Sequence, residues 1–147
     1  MRNFNKDVMI KITGTQNYGA GDDNVTELMS PGRFYKKNEA FFISYDETEL
    51  TGFEGSKTVV KIEGEDKITM MRTGKNRSQL IIENRIRHLC HYNTDFGDMM
   101  IGVFGKDIRV KLDEAGGEVN FSYSLDINTA LDSDNNVNIK IREIKNH

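Results

Sequence analysis

A fourteen-residue stretch, RHLCHYNTDFGDMM at 87–100, concentrates side chains that could bind a metal or act as a nucleophile. In a β-strand, alternate side chains share a face, so His88 and Cys90 lie together with Tyr92, and His91 points the other way. Two ligands are too few for a zinc site, which takes three or four. Cys90 with His88 as its base is the nucleophilic alternative, but a lone cysteine is more often a small buried apolar residue. We therefore predict a strand, with no catalytic and no metal-binding residue.

The segment 132–143, DSDNNVNIKIRE, imitates a calcium loop. Its acids and amides have the spacing of EF-hand ligands, but Val137 occupies the position that the sharp turn reserves for glycine. The flanking residues alternate as strands and do not have the period of helices. We predict a polar hairpin turn at Asp132–Asn136, followed by a final strand, with no calcium and no other cofactor.

Three tyrosines carry a different kind of chemistry. Tyr45, Tyr92 and Tyr123 each fall in the apolar or mixed register of an alternating segment. Arg72 follows Ile68 in the same register and is expected to point inward with them. Phenols, a guanidinium and a carboxylate inside an apolar pocket could orient a small ligand. They could equally form a satisfied structural network in a filled core, and this alternative stays open.

A buried arginine needs an acceptor because an unpaired buried charge is costly. Asp46 and Glu47, in the segment YDETELTG, are the candidate acceptors. The register of strand 67–73 is itself ambiguous, since Met71 is as apolar as Met70. The predicted ligand-binding residues are Tyr45, Glu47, Arg72, His88, Tyr92 and Tyr123.

The elements that must position these residues are strands. Apolar and polar residues alternate, a period typical of half-buried β-strands, in VMIKIT, AFFISYDE, TVVKIE, KITMMRTG, EVNFSYSLDI and VNIKIRE. The best helical rival, LIIENRIRHLCHY, has a β-branched start and a break at Asn84, which favours two strands. Pro31 and Gly32 are expected to split VTELMSPGRFY into two strands or to bend one.

The segments and their intervening turns predict about 8–10 strands in an antiparallel meander with little or no helix. Such a meander hides its edges by closing or by stacking as a sandwich, and short sequential connections favour closure. The expected fold is all-β: one up-and-down barrel over residues 1–147. Its interior could be filled by side chains or could hold one small ligand.

Composition limits the partners. The chain has 147 residues, a net charge of −3 and one cysteine, which excludes an internal disulfide and suggests a reducing compartment. Five cations against one acid give residues 72–91 a local charge of +4, but two predicted turns spread it over opposite barrel ends. No signal peptide or apolar span is expected. We predict a soluble cytoplasmic protein that binds neither nucleic acid nor membrane.

An ordered set of short motifs resembles the YwiB-like family of small Firmicute proteins, over nearly the whole chain. The motifs are Y-x-E-x-x-L-x-G at Tyr45–Gly52, Arg72-x-Gly74, Tyr92-x-Thr94-x-x-Gly97 and a late glycine–tyrosine pair at Gly117 and Tyr123. Relatives often have proline where this chain has Asp95, and the late pair is one residue wider here. The resemblance implies a lipocalin-like, calycin-type β-barrel, and it implies no activity.

Two hypotheses for function follow, from different classes. The first is a binding barrel for a small, partly apolar molecule, based on the barrel size, the inward tyrosines and Arg72. The second is a protein-interaction module or homodimer, with outward apolar residues such as Met9, Ile81 and Leu89 forming the contact patch. A third hypothesis, an enzyme, ranks last because no set of nucleophile, base and orienting group can be identified from the spacing of residues.

Overall fold

The chain forms one closed, antiparallel β-barrel of ten strands, as the alternating segments predict. A computed structural model describes residues 3–19, 23–49, 53–94 and 97–144, with Thr94 described by its backbone alone. The end of the Tyr45–Gly52 motif and Asp95 therefore lie outside the described residues. The strands are β1 (Phe4–Asn17), β2 (Asn24–Lys37), β3 (Ala40–Asp46), β4 (Ser56–Glu63), β5 (Lys67–Gly74), β6 (Ser78–Glu83), β7 (Arg87–Thr94), β8 (Gly97–Asp113), β9 (Gly116–Ile127) and β10 (Ala130–Glu143).

Each strand pairs with its neighbours in sequence, and β1 closes the ring by pairing with β10 from Val8–Glu143 to Asn17–Asp134. This confirms the up-and-down topology, in which every connection is a hairpin and no edge is left open. Within the described ranges there is no α-helix, and hence no helix long and apolar enough to cross a membrane.

The structure resolves the prediction for Pro31 and Gly32 and corrects the predicted position of one turn. Pro31 and Gly32 do not divide their segment, because β2 runs continuously through both. The predicted turn at Asp132–Asn136 is wrong. The chain instead reverses at Asn128 and Thr129, whose φ angles of 52° and 69° match a two-residue hairpin turn. The acids and amides that imitated a calcium loop lie inside β10.

The two ends of the barrel differ in chemistry. We call the end where β2, β4 and β8 finish the base, and the end where β3, β5 and β9 finish the mouth. At the base, Phe34 lies against Phe4 and Phe41, with ring centroids 5.0 and 5.6 Å away, and these rings fill the interior. Between base and mouth the interior is packed with buried aliphatic and aromatic side chains, including Ile10, Ile43, Val60, Ile62, Ile68, Ile82, Val103, Val119, Phe121 and Ile139.

One junction in the wall is weak. The ladder between β6 and β7 has a single described residue pair, Ser78 with Tyr92, whereas the β5–β6 ladder runs from Lys67–Glu83 to Arg72–Ser78. The Ile81 amide donates to the Sγ atom of Cys90, 3.3 Å away, in place of a strand carbonyl. We call this junction the β6–β7 seam.

Candidate functional site

Arg72 is the centre of the polar site at the mouth. It pairs with Thr58 on β4 and with Ser78 on β6, two residues before β5 ends at Gly74. Its side chain is 15% exposed, while that of Glu47 beside it is 2% exposed. Arg72 therefore points inward, in the register of Ile68, which resolves the ambiguity of this strand.

The guanidinium of Arg72 makes only weak polar contacts, although its side chain is largely buried. Its Cζ atom lies 3.7 Å from the ring centroid of Phe53, a stacking contact. Nη1 lies 3.5 Å from Ser78 Oγ, and Nη2 lies 3.9 Å from Glu47 Oε1, both at the limit of a polar contact. Nε is buried without a hydrogen-bond partner among the described residues. An arginine has five N–H donors, so most of its hydrogen-bonding capacity has no good acceptor among the residues that the structure describes.

The acceptor beside Arg72 is Glu47, as one of the two predicted alternatives had it; Asp46 is exposed and faces outward. Glu47 follows β3, and its amide donates to the Ser56 carbonyl at the start of β4. Thr58 Oγ1 donates to Glu47 Oε1 over 2.6 Å. The position of the Glu47 carboxylate is thus fixed by Thr58 and by the backbone hydrogen bond to Ser56, and it does not depend on Arg72 alone.

Two tyrosines next to this pair stay protonated. Burial, and then the charge of Glu47 and a hydrogen bond with it, raise the pKa of Tyr45 far above its ordinary value. Burial and the neighbouring Tyr92 raise the pKa of Tyr123 to about 12, while Arg72 acts to lower it. Near neutral pH both hydroxyls therefore keep their protons and remain able to donate hydrogen bonds.

Two concave spaces meet at Arg72. The first is a cavity of about 260 Å³ in the mouth, with Ile12, Leu28 and Phe53 as apolar lining and Tyr45, Glu47 and Arg72 as polar lining. The second, which we call the outer groove, has a volume of about 460 Å³ at the end of β5 and the start of β6. It is lined by Met71, Arg72, Thr73, Arg77, Ser78, Gln79 and His91.

Of the six predicted ligand-binding residues, Tyr45, Glu47 and Arg72 line the mouth cavity. Tyr123 interacts electrostatically with Tyr92 and with Arg72, but neither tyrosine is among the residues that line this cavity. His88 lies apart from these residues. It lies near the base, half-buried, and its Nε2 atom is 2.8 Å from Glu83 Oε1. The faces of β7 are otherwise as predicted, with Cys90 buried and His91 exposed.

Phe53 lines the mouth cavity and stacks on Arg72, and sequence reasoning did not identify it. It lies between β3 and β4, outside any alternating segment, so no periodicity pointed to it. Among the residues that the structure describes, no three His, Cys, Asp or Glu side chains lie close enough together to hold a metal ion.

A closed barrel with a filled base and a polar mouth describes the class of protein, and comparison with known proteins supplies the family. A family model described as a domain of unknown function, DUF1934, matches residues 10–139, so the chain belongs to the DUF1934 family. The crystal structure of the YwiB protein from Bacillus subtilis is similar at a TM-score of 0.82 and 20% identity. That match covers 96% of this chain and 94% of the other, and it supports the fold and the resemblance to YwiB. No curated protein matches the chain.

Proposed function

We propose that this chain is a soluble binding protein that holds one small, partly apolar molecule in the mouth of the barrel. The observation that supports the proposal is Arg72, whose side chain is only 15% exposed. It lies at the wall of a cavity, and its Nε atom is buried with no hydrogen-bond partner among the described residues. A buried cation without good acceptors costs folding free energy. A ligand that supplies an acceptor to the same guanidinium would offset part of that cost.

The lining of the cavity suits such a ligand. Ile12, Leu28 and Phe53 provide an apolar wall, and the polar groups are few and fixed by the protein. This is the usual composition of a small-molecule site, in which apolar burial provides affinity and a few polar groups provide orientation. The cavity is confined to the mouth because side chains fill the rest of the interior.

The experiment is native mass spectrometry of the protein as purified, followed by the same sample after denaturation. We expect a mass excess that disappears on denaturation and is absent from Arg72→Ala. The matched control is Arg33→Ala, which removes an arginine from the outer wall, where it pairs with Asp7 at 2.6 Å. An excess retained in Arg72→Ala would place the ligand elsewhere and contradict the proposal.

A second candidate function is a protein-interaction module or homodimer, and one observation favours it. Leu89 on β7 and Met100 on β8 are 62% and 52% exposed, and Phe104 on β8 is also exposed. The patch expected from the sequence is not a single surface, because Met9 lies on β1, across the ring from Leu89, and Ile81 packs partly against the core. A dimer mass without a bound molecule in the native spectrum would favour this candidate.

A further inference from the structure

The outer groove is lined by hydrogen-bond donors. Its polar side chains are two guanidinium groups, the hydroxyls of Thr73 and Ser78, the amide of Gln79 and the imidazole of His91. No carboxylate is among its lining residues. At the rim, His91 pairs with Asp98 over 3.2 Å, so that acid is already engaged. A concave surface with this composition is complementary to an oxyanion.

Arg77 is the second cation of the groove and is available for a ligand. It lies just before β6, and its carbonyl accepts a hydrogen bond from the Asn93 amide, which fixes the position of its backbone. Its side chain is exposed and makes no ion pair with any residue in the described ranges. An arginine with a fixed backbone and a free guanidinium can reach a bound group without breaking a structural contact.

Arg72 connects the groove to the cavity, since it lines both spaces. Its Nη1 atom is on the side of Ser78, a groove residue, and its Nη2 atom is on the side of Glu47, a cavity residue. A molecule that contacts Arg72 from the groove can therefore extend into the apolar part of the mouth.

We propose that the ligand is an amphiphilic anion whose carboxylate or phosphate lies in the outer groove between Arg72 and Arg77, with its apolar part in the mouth cavity. This inference rests on the proposed function and adds the chemical class of the ligand. Two guanidinium groups and two hydroxyl donors in one groove suit the planar or tetrahedral oxygens of either head group. The apolar part is buried against Ile12, Leu28 and Phe53.

The test compares four octyl compounds, below their micelle-forming concentrations, by NMR titration of ¹⁵N-labelled protein. They are octyl phosphate, octanoate, octanol and octyltrimethylammonium, which share an apolar chain and differ in head group. We expect the two anions to bind and to shift the side-chain Nε–H resonance of Arg72, octanol to bind more weakly, and the cation not to bind. A preference for phosphate over carboxylate, or the reverse, identifies the head group.

The variant Arg77→Gln is expected to weaken binding of the preferred anion about ten-fold, the effect of losing one charge-assisted hydrogen-bonding group, and to leave octanol unaffected. Lys75→Gln is the control, because Lys75 is an exposed cation of the same turn that does not line the groove. Since Arg77 is exposed, its substitution should not affect folding, which the dispersion of the spectrum verifies.

The outcomes separate the two proposals. If octanol binds in the mouth as tightly as the anions, and Arg77→Gln changes nothing, the binding function stands and the anionic ligand is wrong. If Lys75→Gln weakens binding as much as Arg77→Gln, the effect is general electrostatics and the groove assignment is wrong. If no octyl compound perturbs the mouth, and the native mass spectrum shows no bound molecule, both proposals fail.

Discussion

Arg87 and Asp126 are joined across an intervening strand. Nε and Nη2 of Arg87, on β7, donate to the two carboxylate oxygens of Asp126, on β9, over 2.8 and 2.7 Å. The pair passes over Gly102 of β8, where a side chain would overlap both groups. Because the seam holds β7 only weakly to β6, this two-bond ion pair provides an additional attachment of β7 to the far side of the wall.

The first prediction concerns the pH dependence that this pair produces. The hydrogen bond from Arg87 is the main cause that lowers the pKa of Asp126, and the Thr129 amide acts in the same direction. A carboxyl whose pKa is lowered by folding stabilises the protein at any pH above its pKa in the unfolded state, which is about 3.9. This contribution is lost as the pH falls through the lower pKa of the folded state. We expect Asp126→Asn to be less stable than wild type in urea at pH 7.

At pH 3 the stability difference between wild type and Asp126→Asn should shrink. The control is Asp46→Asn, which removes an exposed carboxylate that has no ion pair with any described residue. A difference that stays constant between pH 7 and pH 3 would show that the ionised form of Asp126 does not contribute to stability.

The second prediction compares two buried glycines of β8. A Cβ atom at Gly102 would overlap the ends of the Arg87 and Asp126 side chains, which can move aside. A Cβ atom at Gly105 would overlap the backbone of Glu83, which cannot. We therefore expect Gly105→Ala to lower the free energy of unfolding by about 1–3 kcal/mol, the usual cost of overpacking, and Gly102→Ala to cost less.

Urea denaturation measures both glycine variants. In an Arg87→Ala background, Gly102→Ala should cost less still, because the overlapping guanidinium is gone, whereas the cost of Gly105→Ala should not change. Equal costs for the two substitutions would mean that the ion pair is as rigid as the backbone.

The third prediction concerns the β6–β7 seam. Strand amides without ladder partners open more readily, so hydrogen exchange should be faster in β6 and at the start of β7 than in β1, β9 and β10. Replacing Cys90 with Val removes the acceptor of the Ile81 amide and should increase the exchange rate of that amide in particular. Uniform exchange around the ring would contradict a weak seam.

Cys90 also provides a chemical probe of the same opening. Burial raises the pKa of the Cys90 thiol, so near neutral pH the reactive thiolate is scarce in the folded protein. Reaction with a thiol reagent should be slow in the native state, fast in urea, and accelerated by Asp126→Asn if the ion pair restrains β7. Native-state labelling as fast as in urea would show that the thiol is accessible in the closed barrel.

The fourth prediction concerns the pairing of Arg72 with Glu47. Arg72→Met leaves a deeply buried carboxylate without its cation, and we expect a loss of about 1–3 kcal/mol in the free energy of unfolding. The double variant Arg72→Met/Glu47→Gln removes both charges and should recover much of that loss. If the double variant is no more stable than Arg72→Met, the charge of Glu47 is not the source of the cost.

The sequence predicted the fold well because alternation is a direct consequence of one face being buried. Segments such as EVNFSYSLDI specify strand, register and inward residues together. The turn between β9 and β10 was misplaced because acids and amides favour turns, and here they serve another purpose. Asn136 donates to Ser122 and Asn138 to Asn120, which ties β10 to β9 by side chains on the outer wall. The true turn was indicated only by Asn128, which tolerates positive φ.

The site was predictable where it lies on strands and not elsewhere. Register placed Tyr45, Tyr123 and Arg72 inward, and chain proximity suggested Glu47. Phe53 lies in a connection whose path no local rule determines. His88 was grouped with the ligand-binding residues because it faces the interior, but the face of a strand does not specify the position of a side chain along the barrel axis. That position depends on which neighbouring strands are paired and in what register, which is a tertiary property.

The pairing of β1 with β10 has a consequence for how the molecule can be assembled. All other ladders join segments adjacent in the chain, so they can form as independent hairpins with little loss of loop entropy. Closure alone brings together segments at the two extremes of the sequence. Until that contact forms, the meander is an open sheet with two bare edges, able to recruit another chain. The two edges are therefore covered only once β1 pairs with β10, so these two strands together contribute the resistance of the barrel to edge-to-edge aggregation.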